Sequence, residues 1–353
     1  MRVKLKILVA LAMPIVTAGL LGGVLEHTHH TKLPPLAAPS PSPQPLSTHV
    51  MRSSSCASKL TSSGPFAGVA VQTMSTGAVS DFAAVTRSHP SIVEFYNSFP
   101  GKFVETSALE AVGFGAIPFV QLNPGRFNKH ALRKIANGKD DKAITAYAQA
   151  VRAFGYCIII SFGHEMNGWW YDWGAPSNTP ATFKKAWRHV HDLFVAAHAD
   201  NVIWSWDPSH QYTVVNSKTH SKLVASLAGK WYPGSQYVDW IGLDGYLSLD
   251  HNGAPQNFDE IFGPQVANIR SFAPHKLLYL AETGVGSNYA MSEQVAQINE
   301  LFQGIAKDKM GGLIWFELNR KNSWSLKGRR AAIQAYRSGL KGFPVIHPID
   351  HAS

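Results

Sequence analysis

Cys157-Ile-Ile-Ile-Ser-Phe162-Gly-His-Glu165 is a continuous run of strand formers that ends, after one glycine, on two ionisable side chains. A strand buried on both faces reads as an unbroken apolar run, not as an alternation. Upstream, Ile144, Tyr147, Val151 and Phe154 recur at helical intervals. Downstream, Ser177-Asn-Thr-Pro180 offers a capping residue and a proline for a first turn, and Phe183, Trp187, Val190 and Phe194 follow at spacings of four, three and four. Helix, buried strand, helix is the unit from which parallel sheets are built. Seven more runs of the same kind lie at 66–71, 92–96, 116–122, 202–206, 240–243, 277–281 and 312–316, with starts 24 to 45 residues apart. Val295, Ile298, Phe302 and Ile305 mark a helix after the seventh run of the eight. Eight such units predict a (β/α)8 TIM barrel, an α/β fold. The alternative is a doubly wound open sheet, but no glycine-rich phosphate fingerprint follows the first run.

The 353 residues can bury a sizeable core, and 45% hydrophobic against 16% charged residues excludes a disordered or coiled-coil chain. Net charge is +9, of which residues 1–59 hold six bases and one acid, leaving +4 for the rest. With no Lys/Arg run in the folded part, nucleic acid is not an expected partner. Arg2, Lys4 and Lys6 precede an apolar stretch, residues 7–25, interrupted by Pro14. That is the pattern of an export signal, and Val16-Thr-Ala18 supplies small residues for cleavage. The stretch is nearly long enough to span a bilayer, so an uncleaved membrane tether is the alternative. Both place the bulk of the chain outside the cytoplasm, secreted or anchored at the cell surface. Residues 26–60, rich in Pro, Ser and His, read as an extended linker, and 61–345 as the catalytic domain. Cys56 and Cys157 are free to pair in an oxidising compartment, but sequence does not decide it. The expectation is a monomer.

Barrel enzymes carry their chemistry at the C-terminal ends of the strands. Here those ends hold Gln121 and Asn123 (third run), His164, Glu165 and Asn167 (fourth), Asp207 (fifth), Asp244 and Tyr246 (sixth), Glu282 (seventh), and Glu317 and Asn319 (eighth). Glu165 and Glu282 each close an apolar strand, on strands that face across a ring of eight. Glycoside cleavage needs two such carboxyls, one to protonate the leaving oxygen and one to attack the anomeric carbon or activate water. Trp169, Trp170, Tyr171 and Trp173 crowd a Gly/Pro-broken loop behind Glu165, where rings can stack on sugars. Trp187, Trp204 and Trp231 read as core. His164-Glu165 lacks the second histidine of a zinc-peptidase helix, and no G-x-S-x-G elbow is present. No metal and no cofactor is expected.

Phe162-Gly-His-Glu-Met-Asn-Gly-Trp-Trp-Tyr-Asp-Trp-Gly174 resembles the acid/base signature of glycoside hydrolase family 26. Val202-Ile-Trp-Ser-Trp206, Val238-Asp-Trp-Ile-Gly-Leu-Asp-Gly-Tyr246, Ala281-Glu-Thr-Gly284 and Gly312-Leu-Ile-Trp-Phe316 are similar to its later strand motifs, in the same order. The resemblance runs from about residue 64 to 335. It implies an extracellular retaining endo-β-glycanase, with β-1,4-mannan the first expected substrate. Mixed-linkage β-glucan, β-1,3-xylan and a non-catalytic polysaccharide-binding barrel are the alternatives. It further implies Glu165 as acid/base and Glu282 as nucleophile, with His164, Asn167, Trp170, Tyr246, Trp315 and Trp324 binding substrate or supporting the nucleophile. Asp172 stands where the family commonly has proline, and Glu317 would add a third carboxylate near the mouth.

Overall fold

The computed structural model describes residues 55–61, 64–71, 74–125, 128–215, 222–248, 255–318 and 323–348. The expected export signal or anchor at residues 1–25, residues 26–54 of the expected linker, and Asn319 lie outside them. In chain order the elements are α1 (Ser55–Thr61), β1 (Phe66–Ala70), α2 (Thr76–Thr86), β2 (Ile92–Phe99), α3 (Glu105–Phe114), β3 (Ile117–Pro124), α4 (Ala131–Ala136), α5 (Asp141–Phe154) and β4 (Ile158–Phe162). There follow α6 (Pro180–Ala196), β5 (Val202–Trp206), β6 (Tyr212–Val215), β7 (Lys222–Ala225), β8 (Trp240–Asp244), α7 (Phe258–Phe272), β9 (Leu277–Thr283), α8 (Met291–Lys307), β10 (Gly312–Phe316) and α9 (Arg330–Gly339). All eight expected strands form, and they close into a parallel barrel in the order β1-β10-β9-β8-β5-β4-β3-β2.

Local chemistry places the helices. Thr179 caps α6 by accepting a hydrogen bond from the Thr182 N–H, with Pro180 in the first turn. Asn257 and Glu260 form a reciprocal capping box at α7. Trp187, Trp204 and Trp231 are buried between helices and barrel, as expected.

The fifth unit departs from the expected repeat. Between β5 and β8 the described residues form an antiparallel hairpin, β6–β7, and two 3₁₀ turns at Ala228–Trp231 and Ser235–Tyr237, and no α-helix. Tyr212-Thr-Val-Val215, with three β-branched residues and a tyrosine, favours a strand and pairs with Lys222-Leu-Val-Ala225; neither carries a helical stripe.

A second departure concerns the linker. Its last residues form α1, whose Cys56, Ala57 and Leu60 are buried with Phe66, Ile117, Phe119, Ile159 and Trp240 inside the N-terminal end of the barrel. Residues 55–60, read from sequence as linker, are thus packed with the barrel. The packed chain also runs past 345, since Ile346 is buried and its N–H donates to Ser91 Oγ at 2.8 Å.

Cys56 is disulfide-bonded to Cys157, closing a sequence separation of 101 residues and fastening this plug to the start of β4. Cross-linking so long a loop restricts the unfolded chain, an effect of about 2–4 kcal/mol in typical cases. Cys56→Ala/Cys157→Ala is expected to lose that much stability in denaturant titrations, with the barrel retained by circular dichroism.

Candidate active site

Side chains of a strand alternate between faces, so one parity of each barrel strand fills the interior. On β2 these are Ile92, Glu94 and Tyr96; on β3, Ile117, Phe119 and Gln121; on β5, Ile203 and Ser205, continued by Asp207. The lower members are apolar and belong to the inner cluster. The upper members are polar, and Glu94, Gln121, Ser161, Ser205, Asp207 and Asp244 are all buried. An apolar floor thus gives way to a polar mouth within the length of one strand.

Glu282 would break this rule without help. Leu278 and Leu280, of its own parity, pack outward with the helices, whereas Tyr279 and Ala281 face in. The pairing of β9 slips by one residue between Gly242↔Tyr279 and Asp244↔Glu282 on one side, and between Leu313↔Leu280 and Trp315↔Thr283 on the other. This one-residue bulge turns Glu282 into the mouth. There Glu282 Oε1 accepts from Tyr96 Oη at 2.7 Å and Oε2 from Tyr246 Oη at 2.5 Å. Burial and the Glu282 charge push both phenols well above their ordinary pKa, so they remain donors.

Glu165 is aimed by backbone strain. It adopts φ +51°, two residues after Gly163 at φ +64°, and its N–H donates to the Asp207 carbonyl at 2.7 Å. The half-buried carboxyl accepts from Trp170 Nε1 at 2.6 Å through Oε2, and also from Ser209. Gly168 permits this contact: a Cβ there would lie 2.3 Å from the Trp170 ring. Burial, then the nearby Glu282 charge, push Glu165 up to about 8, outweighing the two hydrogen bonds that favour ionisation. The two carboxyls meet in one mouth with opposite surroundings.

Three further acids line the same space. Asp207 accepts from Ser205 Oγ at 2.5 Å, Gln121 Nε2 at 3.2 Å and the Gly242 N–H at 3.2 Å, and burial raises it to about 6. Glu94 accepts from Gln121 Nε2 at 2.9 Å. Asp244, paired in register with Glu282, has no donor to either oxygen among the described residues. Burial, followed by the Glu282 charge, raises Glu94 and Asp244 well above the carboxylate range. No lysine or arginine forms an ion pair with any of these acids among the described residues.

The substrate-binding residues expected from sequence divide into two groups. Trp170 and Tyr246 sit against the two carboxyls. Trp324 lies half-buried over Tyr246, with ring centres 4.6 Å apart. His164 is buried beside Tyr96 and bonds Tyr171 Oη at 3.2 Å; burial pushes it below its ordinary pKa, keeping it neutral.

Asn167 and Trp315 do not face the mouth. The buried Asn167 amide donates to the Ser209 and Ser226 carbonyls and accepts from the Ser209 N–H, so it fastens the loop that presents Ser209 to Glu165. Trp315 is fully buried against Tyr336, and its Nε1 donates to the Trp324 carbonyl at 3.1 Å. It supports Trp324 from beneath. Trp173 is likewise core, stacked on Tyr171. Glu317 accepts from Ser325 Oγ and the Leu326 N–H and so ties down the Trp324 loop; the additional carboxyls of the mouth are Glu94, Asp207 and Asp244.

The sequence reading missed Tyr96, Glu94 and Tyr212. Tyr212, on the unexpected hairpin, stacks on His210 at 4.6 Å and on Trp170 at 5.6 Å. Among the described residues no group of three or more His, Cys, Asp or Glu is arranged to hold a metal.

Similarity to known proteins agrees with this geometry. The profile of Glycosyl hydrolase family 26 matches residues 131–307, half of the chain. "Endoglucanase H" of Acetivibrio thermocellus is 29% identical over 236 residues, 64% of this chain and 24% of that protein. "Mannan endo-1,4-beta-mannosidase A and B" of Caldalkalibacillus mannanilyticus is 24% identical over 213 residues, 57% of this chain and 35% of that protein. The chain thus spans about a quarter to a third of these relatives' length. Among solved structures, a double mutant of the Cellulomonas fimi endo-beta-1,4-mannanase superposes with a TM-score of 0.61 at 18% identity, over 85% of this chain and 76% of that one. With a closed barrel, two carboxyls on facing strands and the profile match all in agreement, the chain belongs to glycosyl hydrolase family 26.

Proposed function

We propose that the protein is a retaining endo-β-glycanase, with β-1,4-mannan as its first substrate, Glu165 as acid/base and Glu282 as nucleophile. The observation that carries this is the contrast between the two carboxyls. Two O–H donors address the two oxygens of Glu282, the setting of a carboxylate ready to attack, while burial and the Glu282 charge hold a proton on Glu165 at neutral pH.

In the first step the Glu282 oxygen bonds to the anomeric carbon as Glu165 gives its proton to the departing sugar oxygen. In the second, Glu165 takes a proton from water, whose oxygen displaces Glu282. Trp170 and Trp324 flank the reacting ring, and Tyr212 extends the aromatic wall beyond Trp170. The mannanase and endoglucanase relatives support a β-linked polysaccharide. Action outside the cytoplasm, by secretion or with a tether at residues 7–25, is supported by the Cys56–Cys157 disulfide together with the basic and apolar N-terminus.

The test is hydrolysis of mannan, glucomannan, mixed-linkage β-glucan and β-1,3-xylan by the purified protein, with the first-formed reducing end read by proton NMR. Mannan cleavage with a β anomer appearing first is expected. Preference for another glycan replaces the substrate, and an α anomer first overturns the double displacement.

A further inference from the structure

Glu94 lies fully buried in the middle of β2, one interior position below Tyr96. Its Oε1 is occupied by the Gln121 amide, which also reaches Asp207. Among the described residues its Oε2 is met by no donor, yet the carboxyl lies within hydrogen-bonding reach of Glu282. Two carboxylates cannot share such a contact, because both only accept. The groups facing Glu94 are Gln121 from β3, Asp207 beyond β5, Asp244 and Tyr279 from β8 and β9, Tyr96 from its own strand, and Glu282. None of them is a cation.

We propose that Glu94 is a neutral carboxylic acid whose Oε2–H donates to the Glu282 carboxylate, making it a third donor beside Tyr96 and Tyr246 and a positioning residue for the nucleophile. This rests on the retaining reading above for its catalytic consequence, but not for its protonation. The proton stays on Glu94 in both half-reactions. It stabilises Glu282 before attack and again as the carboxylate that leaves the sugar. Gln121 fixes the orientation: by holding Oε1 as an acceptor, it leaves Oε2 as the atom that carries hydrogen.

Glu94→Gln mimics this state, with the amide oxygen on Gln121 and the amide N–H on Glu282. In the full-length protein kcat/KM is expected to stay within about threefold of wild type, with the pH profile in place. Glu94→Ala removes a donor to a charged group and is expected to lower kcat/KM roughly 10- to 100-fold and move the acidic limb upward. If Glu94 were ionised instead, Glu94→Gln would delete a negative charge beside Glu282 and shift the acidic limb to lower pH.

Thermal stability reads the same point without turnover. An acid that keeps its proton when folded and loses it when unfolded makes wild type lose stability relative to Glu94→Gln as pH rises from about 5 to 8. A widening Tm difference in favour of Glu94→Gln is expected. A flat difference, or a Glu94→Gln variant that does not fold, overturns the proposal. A protein inactive on every polysaccharide would overturn the glycanase reading and leave this comparison readable.

Discussion

Glu282→Ala is expected to lower kcat on the preferred polysaccharide by about four orders of magnitude or more, with the fold intact. In the proposed mechanism, none of the described acids nearby is placed to replace it as nucleophile. Asp244 and Glu94 carry raised pKa values, and Asp207 is held by Ser205, Gln121 and the Gly242 N–H. The fold should survive because the bulge that turns Glu282 inward is set by backbone pairing to β8 and β10, not by the carboxylate. Removing one acid from a group without cations also relieves repulsion. The space vacated between Tyr96 and Tyr246 suits a small anion, so azide should restore turnover. Azide then attacks from the face Glu282 used, and the product is the α-glycosyl azide. A second consequence follows from charge: Glu282 is one cause of the raised Glu165 pKa, so the basic limb of the rescued reaction should move to lower pH. A β-glycosyl azide, or activity near wild type without azide, would remove Glu282 from the nucleophile's role.

The barrel was legible because its strands are buried on both faces and flanked by amphipathic helices, as at 157–162 between 144–154 and 183–194. Glu165 and Glu282 were legible because each ends an apolar run with a charge. Glu94 was not, since a single acid inside Ile92–Tyr96 looks like an interruption of a strand. Only the parity Ile92, Glu94, Tyr96, continued by Ile117, Phe119, Gln121 on β3, puts it in the interior. Parity fails in turn for Glu282, because a bulge leaves no mark in the residues that form it. Trp315 and Asn167 were overread for the reverse reason. Both stand beside residues of the mouth in sequence, yet Trp315 points to the helices and Asn167 is taken up by backbone groups of the next loop. The β6–β7 hairpin was lost among segments expected to form a helix.

Glu165→Ala is expected to show a different signature from Glu282→Ala. On polysaccharide, where the leaving group is a sugar alkoxide that needs a proton, kcat should fall by roughly three orders of magnitude. On an aryl glycoside with an acidic phenol the first step needs no proton. Glu282 should then be glycosylated in a burst, followed by slow release for want of a base. Azide should accelerate that release and give the β-glycosyl azide, the opposite anomer to the Glu282→Ala product. In wild type the basic limb of kcat/KM should fall near pH 8, where Glu165 loses its proton, and Glu165→Ala should lack that limb. The same proton affects stability. The folded pKa lies above the unfolded value of about 4.3, so folding takes up a proton between the two, and stability falls as pH rises through that window. Glu165→Gln cannot ionise and should escape this loss. At pH 7 it is expected to be more stable than wild type by on the order of 1–2 kcal/mol, after allowance for partial exposure, while nearly inactive on polysaccharide. Both effects have one cause: the burial and the Glu282 charge that keep a proton ready for the leaving oxygen also make the folded site costly once that proton is gone. A Glu165→Gln variant less stable than wild type at neutral pH, or a basic limb unchanged by its loss, would place the proton donor elsewhere in the mouth, with Asp244 the next group to test.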